Sequence, residues 1–176
     1  MQWLSKRNIF VFIFFLQLIG CKEEKVSLNH QAPEFATFNA KGDQIKLSDF
    51  KGKAILLKFW SAQCSACLRM MPTMERMSQT YHKDLTVVLV NIDQEQPDFQ
   101  KLIKKYGLTF PVLHDQLEMT KERYEVVGTP SLFFIDQAGI VRDKHLGASS
   151  FEEIKVFTEK YLFDNSLRVI NEQVFF

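Results

Sequence analysis

Three cysteines in 176 residues are too few for a disulfide scaffold, which relies on several pairs in place of a core. Five prolines and seven glycines leave no collagen-like or low-complexity stretch. Neither sign of charge dominates, with 22 Lys and Arg against 21 Asp and Glu and a formal net charge of +1. Without a basic excess, no nucleic-acid partner is expected. No apolar run reaches the roughly 20 residues of a comfortable membrane span. No internal repeat or interior linker breaks the chain. What is present is ordinary globular material, 46% hydrophobic and 24% charged, enough for one domain with a full core.

The amino terminus stands apart from that domain. Lys6 and Arg7 form a basic start, and residues 9–19 are apolar apart from Gln17. This is the anatomy of an export signal. The run ends in Leu18-Ile19-Gly20-Cys21, which resembles a bacterial lipobox, where cleavage precedes a cysteine that then carries lipid. The competing reading is an uncleaved anchor followed by a chance cysteine. Both place the domain outside the cytoplasm and tie it to a membrane, the inner or the outer. The expected organisation is a signal peptide at 1–20, a polar tether at 21–31, a domain at 32–163 and a tail of unassigned role at 164–176. A lipidated Cys21 leaves one pair, Cys64 and Cys67.

That pair sits at a change of pattern. Residues 54–60 form an apolar run that reads as a buried strand, and after Cys67 the apolar spacing becomes helical. The first N–H groups of a helix lack internal partners, and its dipole places about half a unit of positive charge there. A thiolate at that spot is stabilised, and its pKa falls below the free value of about 8.5. Cys64 is therefore the expected attacking sulfur. Cys67, one turn on, is placed to resolve a mixed disulfide. A Cys-x-x-Cys beside a strand–helix pattern is a redox signal. Half a zinc site would need two more ligands at matching spacing, and no second pair exists. A purely structural disulfide would close too short a loop to stabilise much.

Around this centre the chain reads as a mixed α/β domain. Residues 35–38 alternate, Lys41-Gly42-Asp43 turns, and Ile45 and Leu47 continue as a second strand, a hairpin. Residues 47–53 are a short helical turn or loop. Met71, Met74, Met77 and Tyr81 share one helix face with Met70 beside it. They are read as pliable core, with Cu(I) binding as the competing reading. Pro72 should bend that helix. Residues 85–92 suit a central parallel strand. Pro97 suits the first turn of a helix carrying Phe99, Leu102, Ile103 and Tyr106, which Gly107 ends. Residues 110–113 are extended, 117–127 helical, and 131–136 a strand. A turn at residues 137–139 leads to an antiparallel partner at 140–142. A final helix at 152–163 turns Ile154, Phe157, Tyr161 and Leu162 inward. The order predicts a sheet with helices on both faces.

Several motifs together carry a resemblance. They are Ala32-Pro33-Glu34-Phe35, Leu47-Ser48-Asp49-Phe50-Lys51-Gly52-Lys53, and Phe59-Trp60-Ser61-Ala62 leading to the Cys pair. Met71-Pro72, Tyr124-x-Val126-x-Gly128-Thr129-Pro130, and Phe133-Phe134-Ile135-Asp136-x-x-Gly139 complete them. Over residues 32–163 the chain resembles the TlpA/ResA-type thioredoxin-like thiol–disulfide oxidoreductases. The resemblance implies a thioredoxin-like α/β fold, a central mixed sheet flanked by helices, with an N-terminal β-hairpin extension. It implies a cis peptide at Pro130, held with Thr129 against the Cys pair. There the Thr129 backbone could pair with an extended substrate segment. It implies Trp60 as support for the site. It implies protein disulfide or dithiol substrates outside the cytoplasm, often apocytochrome c or a copper-site protein, and a membrane electron donor. No cofactor and no resident metal are expected.

The chain departs from the pattern at three places. Gln63 stands where thioredoxins usually have Trp. Lys58 stands where they often have a buried Asp, and Met70 where ResA-type proteins have Glu. Lys58 has two readings: a cation that favours thiolate, or a stem that reaches past the core to water. Two other functions compete. One is a Cu(I) chaperone using the cysteines, although His30, His82, His114 and His145 lack ligand spacing to the pair. The other is a thiol peroxidase, suggested weakly by Ser61-x-x-Cys64. Reductant is the expected direction.

Overall fold

The computed structural model describes residues 24–163. Cys21, the expected signal peptide and the tail from residue 164 lie outside the described residues. Seven strands form one sheet in the order β2-β1-β5-β4-β3-β6-β7. The interior strand β3 (Ala54–Trp60) is buried at every residue, as expected for a strand with neighbours on both edges and cover on both faces. Parallel to it runs β4 (Leu85–Asn91), and β5 (Val112–His114) is parallel to β4. On the other side β6 (Ser131–Ile135) and β7 (Val141–Leu146) pair antiparallel. The N-terminal hairpin, β1 (Thr37–Phe38) and β2 (Gln44–Ile45), adds to the β5 edge through Phe38 and His114. The sheet is mixed, as the sequence implies.

The two faces are covered differently. Ala54, Leu56 and Trp60 of β3 point into one cluster with Cys67, the methionines, Phe99 and Ile154. Those partners lie on α1 (Ser65–Arg69), α2 (Met71–Thr80), α3 (Phe99–Tyr106) and α5 (Phe151–Thr158). Ile55, Leu57 and Phe59 point the other way, toward Phe35, Tyr124, Val126 and Phe133. That second face is roofed mainly by irregular chain: residues 26–35, a 3₁₀ turn (Leu47–Phe50), and the stretch around α4 (Met119–Arg123). Helices flank the sheet on both faces, but on the second face only α4 and the 3₁₀ turn are helical.

Local differences have local causes. Pro72 does not merely bend a helix. Its missing N–H divides the run at Met70, which ends α1 and caps α2, so that Pro72 falls in the first turn of α2, where no donor is needed. Pro97 lies outside α3, whose N-cap is Asp98, with its carboxylate accepting from the Lys101 N–H at 2.9 Å. The helix expected over 117–127 is only Met119–Arg123, flanked by Glu118 at φ 55° and Glu125 at φ 50°. The last helix passes from α5 into a π turn (Glu159–Phe163). From Val26 onward the polar tether is bound to the domain. The Val26 N–H donates to Arg123 O at 2.8 Å, and His30 O accepts from the Val141 N–H at 3.0 Å.

Two motifs gain reasons. The Tyr124 hydroxyl, buried in an aromatic group with Phe35, Phe59 and Phe133, donates to Pro33 O at 2.8 Å. This ties the opening motif to the segment before Thr129. Asp136 accepts from the N–H groups of Ala138 and Ile140 and from Arg142 Nε, all at 2.8–2.9 Å. It fixes the turn that Gly139 completes at φ 81°.

Candidate active site

The extended end of β3 delivers Ser61 to Gln63, and Cys64 is the N-cap of α1. Cys64 and Cys67 are joined by a disulfide, with Cα atoms 5.2 Å apart. Their exposures differ. Cys67 is fully buried, whereas Cys64 is only partly covered. The Cys67 N–H donates to the Cys64 sulfur at 3.1 Å. In the reduced pair the same donor favours a thiolate at Cys64 over a thiol. Because α1 is five residues long, this first-turn N–H, rather than a long aligned helix, supplies the effect.

Facing the pair is the Thr129–Pro130 bond, which is cis. The Thr129 carbonyl oxygen lies 3.5 Å from Cys64 Sγ. A disulfide sulfur has no proton to donate, so this is a contact, and only a reduced thiol would donate across it. Pro130 is buried and Thr129 half-buried. The Gly147 N–H donates to Pro130 O at 2.8 Å, which places the end of β7 beside this loop. Two large apolar side chains stand exposed there, Val127 at 89% and Leu146 at 58%. Trp60 is fully buried against Phe99, and its ring N–H finds no hydrogen-bond partner among the described residues.

Lys58 does not reach water. It is 0% exposed, and its Nζ donates to the Cys67 carbonyl oxygen at 2.9 Å. Its place on an interior strand explains this: Leu89 and Leu132 flank it in register, and Leu56 and Trp60 precede and follow it on the same face. Among the described residues no carboxylate bonds it. Burial alone pushes its ammonium down to about 7.

The residues around Asp93 escaped the sequence reading, which saw only a loop. Asp93 Oδ2 accepts from the Ala62 N–H at 2.8 Å and from Asn91 Nδ2 at 2.9 Å, so it holds the turn that carries Cys64. His114 Nε2 lies 2.8 Å from Asp93 O. Partial burial pushes the Asp93 carboxyl up, but the Ala62 N–H and the Ser61 and Asn91 side chains outweigh it and hold it below the ordinary 3.8. The available signal was Asn91-x-Asp93 at the C-terminal end of a parallel strand, where α/β sheets gather their sites.

None of the four histidines hydrogen-bonds either cysteine, and His30, His82 and His114 are each engaged with a backbone oxygen. Among the described residues no cluster of three His, Cys, Asp or Glu forms. The Ser61 hydroxyl pairs with Gln63 rather than with Cys64.

A half-exposed cysteine bonded to a buried one, at the mouth of a short helix and facing a cis-proline loop, defines a class: a thioredoxin-like thiol–disulfide oxidoreductase. The comparisons agree. Residues 28–144 match the AhpC/TSA family, and the chain belongs to that family. It is 32% identical to the thioredoxin-like protein YneN of Bacillus subtilis over 142 residues, 79% of this chain and 83% of that protein. It is 31% identical to the thiol-disulfide oxidoreductase ResA of Bacillus thuringiensis over 170 residues, 88% of this chain and 98% of that one. The pneumococcal exposed lipoprotein thioredoxin Etrx1 of Streptococcus pneumoniae superposes with a TM-score of 0.62 at 29% identity, covering 73% of this chain and 99% of its own. The resemblance to ResA-type proteins and the thioredoxin-like fold both stand.

Proposed function

We propose that this oxidoreductase works outside the cytoplasm, anchored through lipid on Cys21, and reduces disulfides in partner proteins. Cys64 is the attacking sulfur. As thiolate it bonds to one sulfur of the partner's disulfide and expels the other as a thiolate, which takes a proton from solvent. Cys67 then attacks Cys64, closes the intramolecular disulfide and expels the second partner thiolate. The partner gains two electrons and the Cys pair loses them. A membrane dithiol donor returns them.

The observation that carries this is the contrast in burial. An incoming protein can meet Cys64, while fully buried Cys67 can meet only Cys64. Thr129 and Pro130 border the sulfur, and the backbone of Thr129 offers an edge to an extended partner segment. Val127 and Leu146 give that segment an apolar rim. The Leu18-Ile19-Gly20-Cys21 sequence supports the anchor, as does the exposed lipoprotein among the similar structures.

The test is Cys67→Ser in the full chain, expressed in a bacterial envelope. Covalent complexes with exported proteins, released by dithiothreitol and absent from Cys64→Ser, are the expected result. Envelope fractions free of such complexes would overturn the role. Cys21→Ser is expected to move the protein from the membrane fraction to the soluble fraction.

A further inference from the structure

The resolving step has a proton to lose from a buried sulfur. Cys67 is 0% exposed, and its thiol must become thiolate before it can attack. An apolar surround raises a thiol's pKa and works against that step. Among the described residues, one titratable side chain besides Cys64 hydrogen-bonds this residue. Lys58 Nζ donates to the Cys67 carbonyl oxygen at 2.9 Å, so one residue carries both the anchor of the amine and the sulfur that must ionise.

We infer that Lys58 is the proton partner of Cys67: as a neutral amine it takes the thiol proton, and as ammonium it steadies the thiolate that results. This rests on the exchange role proposed above. The charge balance favours it. Thiol with amine is net neutral, and thiolate with ammonium is net neutral as well, so the proton transfer itself adds no net charge to the buried site. An amine whose proton affinity burial has lowered to about 7 is poised for the exchange. Once formed, the Cys67 thiolate attacks the Cys64 sulfur. The Cys64–partner bond breaks, and the partner sulfur leaves with the electron pair. The ammonium gives up its proton by way of solvent to that leaving thiolate, and Lys58 is neutral again.

Among the described residues no other titratable side chain apart from Cys64 hydrogen-bonds Cys67 or Lys58. On β4 and β6 the neighbours of Lys58 are Leu89 and Leu132. On α1, Arg69 is exposed. On α2, Arg76 lies over the Phe151 ring, and the buried Glu75 carboxylate is occupied by Thr109 and Gln79. The lysines of α3 and Glu152 and Glu153 of α5 are exposed, and Lys155 of α5 is half-exposed.

The test uses the reduced full-length protein, mixed with excess dithionitrobenzoate in a stopped-flow instrument across pH. A first release of thionitrobenzoate reports Cys64 attack. A second reports its displacement by Cys67. In wild type the second phase is expected to rise with pH and to level off once Lys58 is neutral. In Lys58→Met it is expected to be at least about tenfold slower near neutrality and to keep climbing with pH, with the first phase little changed. Lys58→Arg, charged but unable to accept a proton, is expected to lose the same plateau. A second phase in Lys58→Met matching wild type in rate and profile would overturn the inference. A missing first phase in wild type would instead overturn the assignment of Cys64, and this inference with it. Should Lys58→Met fail to fold, the carbon-13 titration of the Lys58 Cε methylene in wild type decides. Its midpoint is expected to rise on reduction of the pair, and an unmoved midpoint would overturn the inference.

Discussion

Lys58 is a buried cation with its charge at odds with its surroundings. It sits on an interior strand with no acidic partner among the described residues, and burial lowers its pKa from 10.5 to about 7. Between those values the unfolded chain holds a proton that the folded chain does not. Stability therefore rises with pH across that window, and below it the full cost of burial is present. Lys58→Met removes the cost. In urea unfolding of the oxidised protein, the variant is expected to gain on wild type by several kcal/mol more at about pH 6 than at about pH 10. An advantage that does not change with pH would show that Lys58 is not desolvated. The position of Lys58 was visible in the sequence, but its environment was not. An isolated strand pattern does not say whether a stem of four carbons ends at water or under a helix. Asp93 was hidden differently, because its partner Ala62 lies 31 residues away in the chain.

At the scale of elements, strand β3 and the cap at Cys64 were legible because both are local. One is an unbroken apolar run, and the other is a change from strand to helical spacing. The helix at 117–127 was not. Its apolar spacing reflects Tyr124 and Val126 entering the second core from irregular backbone, with Glu125 at positive φ. Helix α2 offers a direct test of how its methionines act. Met71, Met74 and Met77 are all 0% exposed against β3 and β4 residues. As packing, single Met→Leu changes are expected to cost less than about 1.5 kcal/mol. Met74→Ala is expected to cost about 2–5 kcal/mol, read from denaturant midpoints. If Met→Leu proved as damaging as Met→Ala, sulfur rather than volume would be what matters.

The whole molecule is a sheet that presents one pair of sulfurs at the ends of its central strands, with an added hairpin on the far β5 edge and a short β6–β7 hairpin on the other. The sequence motifs pointed to that arrangement because several of them meet in space: residues 32–35 are tied to Tyr124, and the loop at 128–130 faces Cys64. The covering of the second face by irregular chain was beyond the reach of periodicity, which reads helices and strands and little else. The central claim is that the Cys64–Cys67 couple passes two electrons to a partner's disulfide. Its most direct test is stoichiometric: reduced full chain mixed with oxidised insulin, with both products weighed by mass spectrometry. The account predicts one Cys64–Cys67 disulfide formed for every insulin disulfide opened, and none with Cys64→Ser. Insulin reduced equally well by Cys64→Ser, or a Cys pair still reduced after mixing, would contradict it.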